Sequence, residues 1–225
     1  LGSGEYVQVS MDGGSTWVYA TVSGTQWSYS DTRTLTDGSH SYQVRVVDQA
    51  GNVGATTSQA VTVDTQAPQY GITIDSISED TGQSSSDFIT MDTTLTINGS
   101  LGSALASDER VQISLDGGNT WIDTTVTNQR WSYTDTRDLA DGDYTYQVRI
   151  IDQAGNVGST SSQVVTVDTT PPTTVGTVVS YTDGEGERTG TFGSAVATDD
   201  DSPLINGTLN RAPDDGEIVQ LYRDG

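Results

Sequence analysis

The feature that most constrains this chain is a gapless internal repeat. Residues 5–66 align with residues 109–170 at a fixed offset of 104, with about 39 of 62 positions identical. EYVQVSMDGGSTW returns as ERVQISLDGGNTW, WSYSDTRTLTDG as WSYTDTRDLADG, SYQVRVVDQAGNVG as TYQVRIIDQAGNVG, and VTVDTQAP as VTVDTTPP. A third copy starts near Pro172 and runs to GEIVQLYRDG. Units of roughly 20–50 residues build solenoids and propellers, whereas a period near 104 matches one β-sandwich domain of about 100 residues. The spacing therefore predicts three units: residues 1–67 as the carboxy-terminal part of one repeat, 68–171 as a complete repeat, and 172–225 as the amino-terminal part of a third. On this reading the first unit lacks two strands and the third lacks most of its own, so each carries unpaired sheet edges.

Inside the complete copy, short segments rich in Thr, Val, Ile and Tyr alternate in polarity and are parted by Gly, Asp and Asn clusters. Such patterning is all-β. Strands are expected at about Tyr70–Ser78, Thr93–Asn98, Arg110–Leu115, Trp121–Val126, Trp131–Asp135, Tyr144–Ile151 and Ser159–Val167, a seven-strand immunoglobulin-like sandwich. In LADGDYTYQV, tyrosine stands where antibody domains carry their second cysteine, and Tyr144 falls at the place of a tyrosine corner. His40 replaces it in the first copy. Trp121 and Trp131 are expected in the core or at its edge.

The chain has no cysteine, so packing or bound metal must supply what disulfides otherwise would. It carries 31 acidic against 9 basic residues, every base an arginine, for a formal charge of −22. That excess repels nucleic acid, and compaction invites counter-ions; simple solubility is the plainer alternative. No run approaches the roughly 18 apolar residues of a membrane span, so insertion into a membrane is not expected.

Two motifs occur in both copies. SLDGGNTW fits the Asp-box pattern through Ser114, Asp116, Gly118 and Trp121, repeated at Ser10, Asp12, Gly14 and Trp17. Its mechanics are those of a hairpin, with glycines at positive φ and an aspartate accepting backbone bonds across the turn; the 104-residue period argues against a sialidase propeller. DQAGN lies between the last two strands, where Asp48 and Asp152 either close a turn or, at a strand end, ligate a cation.

Acidic loops are the candidate metal ligands. The first loop of the complete repeat, ISEDTGQSSSDFITMD, brings Glu79, Asp80, Asp87 and Asp92 close together, and oxygen ligands without histidine or cysteine select calcium or magnesium over zinc. Flexible Gly and Ser spacing suits the larger shell of Ca2+; a solvated acidic loop is the alternative. Because strands alternate in direction, the first loop, the DLADG loop with Asp141 and the VDTTPP exit with Asp168 should gather at one end. Asp168 is then expected near Asp214 and Asp215 of the following repeat, and Asp64 near Asp108 and Asp152 at the preceding junction.

The combination of VDTTPP linkers, an ISEDTG loop, SSSDFIT, VQISLDGGNTW and DGDYTYQVRIIDQAGN resembles the bacterial Ig-like repeats of giant non-fimbrial adhesins exported by type I secretion, with the repeats of biofilm matrix proteins next. The resemblance covers essentially the whole chain. It implies a secreted, surface-located array in which Ig-like sandwiches form an extended rod stiffened by calcium. Neighbouring repeats are its partners within the chain, and the surface of host epithelial cells is its target. The positions it matches are Asp64 and Asp168 in the linkers, Asp48 and Asp152 before the turns, and Asp80 in the first loop.

An enzyme is not expected. Residues 68–171 contain no histidine, cysteine or lysine, which removes the common nucleophile and base pairs. A two-carboxylate glycosidase would need a cleft that a sandwich of about 100 residues has little volume to form. The competing class is a carbohydrate-binding module that contacts host glycans directly.

Overall fold

The computed structural model describes residues 1–223. It divides into two compact units, residues 1–168 and the part that begins at Thr169. Among the described residues every regular element is a strand, and no helix is long and apolar enough to cross a membrane.

In the amino-terminal repeat, β1 (Glu5–Ser10), β2 (Val18–Tyr19), β5 (Gly38–Asp48) and β6 (Thr57–Val63) form one sheet in the order β2-β1-β5-β6. β3 (Thr21–Ser23) and β4 (Gln26–Ser28) form a separate hairpin. The repeat that follows is built of more strands. Its strands are β7 (Ile72–Ile77), β8 (Ile89–Thr90), β9 (Thr96–Leu101), β10 (Arg110–Ser114), β11 (Ile122–Asp123), β12 (Thr125–Thr127), β13 (Arg130–Thr134), β14 (Gly142–Ile151) and β15 (Val157–Val167). They make two sheets, β11-β10-β14-β15-β8 and β12-β13-β9-β7.

The alternation read from the sequence becomes the core. Val111 and Ile113 on β10, Tyr146, Val148 and Ile150 on β14, and Val165 and Val167 on β15 meet Ile97 on β9 and Trp131 on β13, all essentially inaccessible. Trp131 owes its place to Gly99. Its indole lies where a side chain on that residue would be, 2.4 Å from an added Cβ, and its Nε1 donates to the Thr73 carbonyl at 3.0 Å.

Two differences from the seven expected strands have local causes. The segment expected at Trp121–Val126 changes sheets at Thr124, whose N–H donates to the Val111 carbonyl at 3.0 Å; β11 therefore pairs with β10 and β12 with β13. β8, inside the acidic first loop, pairs parallel with the end of β15 through Ile89 opposite Thr166 and Thr90 opposite Val167. The strand expected at Thr93–Asn98 lies further along, at Thr96–Leu101.

The second unit holds β16 (Gly176–Asp183), β17 (Gly190–Phe192) and β18 (Leu204–Leu209) in the order β17-β16-β18. Its apolar side chains Val178, Val179 and Leu204 remain more than half exposed.

Candidate metal centre

The DQAGN and Asp-box aspartates are held by their own turns. Asp152 is buried, and its Oδ1 accepts from the Gly155 and Asn156 N–H groups at 2.7 and 2.8 Å while Oδ2 accepts from Asn156 Nδ2 at 2.8 Å. Asp48 repeats the pattern with Asn52, both bonds at 2.8 Å. In Asp152, burial by itself would raise the carboxyl, but the Asn156 side chain and the turn N–H groups outweigh it and hold the pKa below the ordinary range. The Asp-box works in the same way. Asp116 accepts from Thr120 Oγ1 at 2.6 Å, Thr120 N–H at 2.9 Å and Ser114 Oγ at 2.8 Å, which lower its pKa to about 2. Gly117 and Gly118 have φ of 74° and 92°, the positive values that this turn requires.

The first loop is built differently. Phe88 takes φ 62°, and its N–H donates to Asp80 Oδ2 at 3.0 Å. The other carboxylate oxygen, Asp80 Oδ1, is buried with no hydrogen-bond partner. Around it the chain is pinned by hydroxyls. Thr90 Oγ1, on a buried residue, donates to the Glu79 carbonyl and accepts from the Asp92 N–H at 3.0 Å; Thr81 Oγ1 accepts from the Met91 N–H at 2.9 Å. Asp92 accepts from Thr94 N–H at 2.8 Å and from Ser78 Oγ at 3.0 Å, and Asp87 Oδ1 caps its own turn through the Ile89 N–H at 3.1 Å. Glu79 and Asp87 are exposed.

The exit linker reaches this loop through its backbone, where the Asp168 N–H donates to the Thr90 carbonyl at 2.9 Å. In the first repeat the exit is tied by Asp37, the counterpart of Asp141, which accepts from Thr65 N–H at 3.0 Å, Thr65 Oγ1 at 2.9 Å and Gln66 Nε2 at 3.1 Å. Asp141 is exposed, immediately before β14. At the preceding junction Asn156 Nδ2 donates to the Asp64 carbonyl at 3.0 Å, so the DQAGN turn and the incoming linker do meet, while the Asp64 carboxylate accepts from the Gln66 N–H at 3.0 Å. Asp108 is exposed in the turn before β10. In the second unit Asp214 pairs with Arg211 at 2.8 Å and Asp215 is exposed. Thus Glu79, Asp80, Asp92 and the Asp168 backbone gather in one region, and Asp64 meets the Asp152 turn; among the described residues no three carboxylates converge on one point.

Calcium accepts six to eight oxygens and takes many of them from backbone carbonyls and water, so a single buried carboxylate oxygen in a carbonyl-rich loop is compatible with it. The buried, unpartnered Asp80 Oδ1 is the atom a cation would satisfy.

Of three further contacts, the Asp135 network and the Arg149 stack lay beyond the sequence reading, whereas the tyrosine corner was expected from it. Asp135 is fully buried, with Arg137 Nη2 2.6 Å and the Tyr146 hydroxyl 2.8 Å from its Oδ2; the D-T-R triplet repeated at Asp31 and Arg33 was the available signal. Burial alone would raise the Asp135 carboxyl, and the Arg137 and Tyr146 bonds hold it below its ordinary value. Tyr144 OH donates to the Ala140 carbonyl at 2.9 Å as a tyrosine corner does, and His40 Nε2 makes the equivalent contact with the Thr36 carbonyl at 2.7 Å. Trp121, read as core or core edge, lies under Arg149, whose guanidinium carbon is 4.0 Å from the ring centroid.

The folding pattern defines a tandem array of β-sandwich repeats whose acidic loops lie at the ends of the sandwich. Residues 2–65 and 67–169 match the bacterial Ig-like domain family, and the chain belongs to that family. It is also similar to exoglucanase B of Cellulomonas fimi, at 35% identity over 158 residues, covering 68% of this chain and 14% of that protein. The chain therefore spans about one seventh of that relative's length. Solved structures similar in part are the fibronectin(III)-like modules of Clostridium thermocellum CbhA, with TM-score 0.46, 15% identity and coverage of 72% of this chain and 77% of theirs. A putative membrane anchored protein of Corynebacterium diphtheriae gives TM-score 0.30 at 17% identity, over 80% of this chain and 48% of its own.

Proposed function

We propose that the chain is a non-catalytic, extracellular Ig-like repeat array of a bacterial surface adhesin, in which bound calcium ties each acidic first loop to the exit linker. The supporting observation is the buried Asp80 Oδ1 that no donor reaches. Asp80 would supply the central carboxylate, and Glu79, Asp92 and Asp168, whose backbones already meet around Thr90, would supply further carboxylate or carbonyl oxygens. Bound there, the cation supplies positive charge in a chain of net −22 and joins the loop to the linker. The Thr90 hydroxyl fixes the Glu79 carbonyl, and Phe88 fixes one Asp80 oxygen so that the other stays turned inward.

The test is a thermal melt in EDTA and in a calcium series. Dissociation constants of about 10⁻⁴ to 10⁻³ M are usual for extracellular modules. Calcium at 100 times its constant adds about 2.7 kcal/mol per site that binds only the folded state. Asp80→Asn should remove most of the calcium response without unfolding the repeat in EDTA. An equal melting temperature in EDTA and millimolar calcium overturns the calcium reading.

The likeness to an exoglucanase favours a second reading, an accessory module within a carbohydrate-active protein. Retention of the chain on cellulose or on a glycan array, with and without calcium, separates the two.

A further inference from the structure

The outer face of the β12-β13-β9-β7 sheet carries a polar hollow whose walls all belong to the complete repeat. Ile97 and Trp131 point into the core, so their chain neighbours Asn98 and Ser132 point outward. Thr125 opposite Ser132, and Ser132 opposite Asn98, make one row across three strands. A second row sets Thr127 opposite Arg130 and Arg130 opposite Ser100. β7 closes both rows with a bulge. Its register against β9 slips between Ile74 and Ser76, and the residue left over, Asp75, is aimed across the face. The Asp75 carboxylate accepts from Arg130 Nη1 at 3.0 Å and from Thr73 Oγ1 at 2.7 Å. The hollow these groups line has a volume of about 320 Å³, near the lower limit of about 300 Å³ for small-ligand sites.

The ion pair is not part of the framework that the repeats share. The third copy has the same bulge, slipping between Val178 and Ser180, but Val179 stands in the place of Asp75, and the first copy has Gln26 in the place of Arg130. Stability does not account for the pair either. The Arg130 side chain is 73% exposed, and an ion pair so open to water contributes little. Most of the hydrogen-bonding capacity around it is unused by the fold. Arg130 engages only Nη1, so Nη2 and Nε are free to donate, and the Asn98 Oδ1 and the hydroxyls of Thr125, Thr127 and Ser132 have no partner among the described residues.

We infer that this hollow binds a neutral saccharide, with Arg130 donating to one sugar oxygen while the Asp75 carboxylate and the Asn98 Oδ1 accept from neighbouring hydroxyls. Other ligand classes fit the lining less well. An anion would meet Asp75 in a chain of net −22, and a cation would meet the Arg130 guanidinium. An apolar molecule would take the hydroxyls from water without replacing their bonds. A sugar hydroxyl both donates and accepts, as a lining that mixes an acceptor-only carboxylate, a donor-only guanidinium and Ser and Thr hydroxyls requires. The one aromatic residue of the lining, Trp131, is 1% exposed, so no ring is open for stacking and affinity rests on hydrogen bonds exchanged with water. Binding is therefore weak, in the millimolar range. Such a site rests on the second functional reading, an accessory module of a carbohydrate-active protein, and it needs no metal.

The test is nuclear magnetic resonance on the isotope-labelled full chain in EDTA, with cellobiose, lactose and mannobiose added in turn. The amides of Asn98, Gly99 and Ser132 should shift and saturate with one of these sugars. Arg130→Gln and Asp75→Val each install the residue that another copy carries, at exposed positions that cost the fold little. Each should weaken binding about tenfold or more, as loss of a charge-assisted hydrogen bond does, with the melting temperature unchanged. Overturning results are no shift at these amides up to the solubility of each sugar, equal affinity in both variants, or a stronger response to glucuronate than to glucose. Retention of the chain on cellulose or a glycan array that survives Arg130→Gln would also overturn this site, while leaving the accessory-module reading in place.

Discussion

At the scale of single residues, the fold rests on aspartates that take opposite roles according to who donates to them. Asp135 sits inside, and its charge is balanced by Arg137 and by the Tyr146 hydroxyl. Tyr146→Phe removes one donor from a buried carboxylate, and hydrogen bonds to charged groups contribute about 1.5–3 kcal/mol. Denaturant unfolding should therefore show a loss in that range with the m-value unchanged. The hydrogen bonds of Asp116 hold its folded pKa at about 2, against an unperturbed 3.8, and Asp12 behaves alike. Each contributes stability that is present above pH 4 and is lost as pH falls from about 4 to 2. Melting temperature followed across that window should fall less steeply in Asp116→Asn than in the parent chain. These turns were legible in the sequence because all their bonds lie within four residues. The Asp135 network was not, since its tyrosine partner is eleven residues away on another strand.

At the scale of elements, the strands that alternate over five or more residues were readable, and those that do not alternate were not. β10, β14 and β15 carry their core-facing residues in period two along lengths that the pattern specifies. β8 has two residues and β11 has two, too few for any periodicity, and only tertiary pairing defines them. The same limit hid part of the candidate site. The loop's acidity could be read directly, but the burial of Asp80 Oδ1 and the 92-residue separation between Asn156 and Asp64 belong to the folded state. The β9–β13 contact gives a test at this scale. A methyl on Gly99 would stand 2.0 Å from the Thr73 carbonyl and 2.4 Å from the Trp131 ring, so the backbone or the indole must move. Overpacking of this kind costs about 1–3 kcal/mol. Gly99→Ala should lower the unfolding free energy by about that much, and a red-shifted tryptophan emission would report the displaced ring.

For the whole molecule, the repeat and the charge were the most legible properties, because both are sums over sequence that no folding detail can alter. A net charge of −22 on 225 residues is self-repulsive. The melting temperature should rise as sodium chloride is increased from 0.01 to 0.15 M, where the screening length falls from about 30 to about 8 Å. Choline chloride should act equally if screening is the cause. An effect of sodium that choline fails to reproduce would point to specific ion binding instead.

The two-residue strand β8 has a mechanical consequence. It lies parallel to β15, and the Asp168 N–H continues the pairing to the Thr90 carbonyl at the point where the chain leaves the sandwich. Tension on a protein of tandem repeats enters each one at β7 and leaves at β15. Backbone bonds between neighbouring strands lie across the strand direction, so a pull along β15 loads the bonds to β8 side by side rather than one after another. A latch loaded in that way resists until all its bonds yield together, and forced unfolding is governed by the rate of that event rather than by equilibrium stability. The acidic loop is thereby placed at a seam that carries load when the chain is stretched.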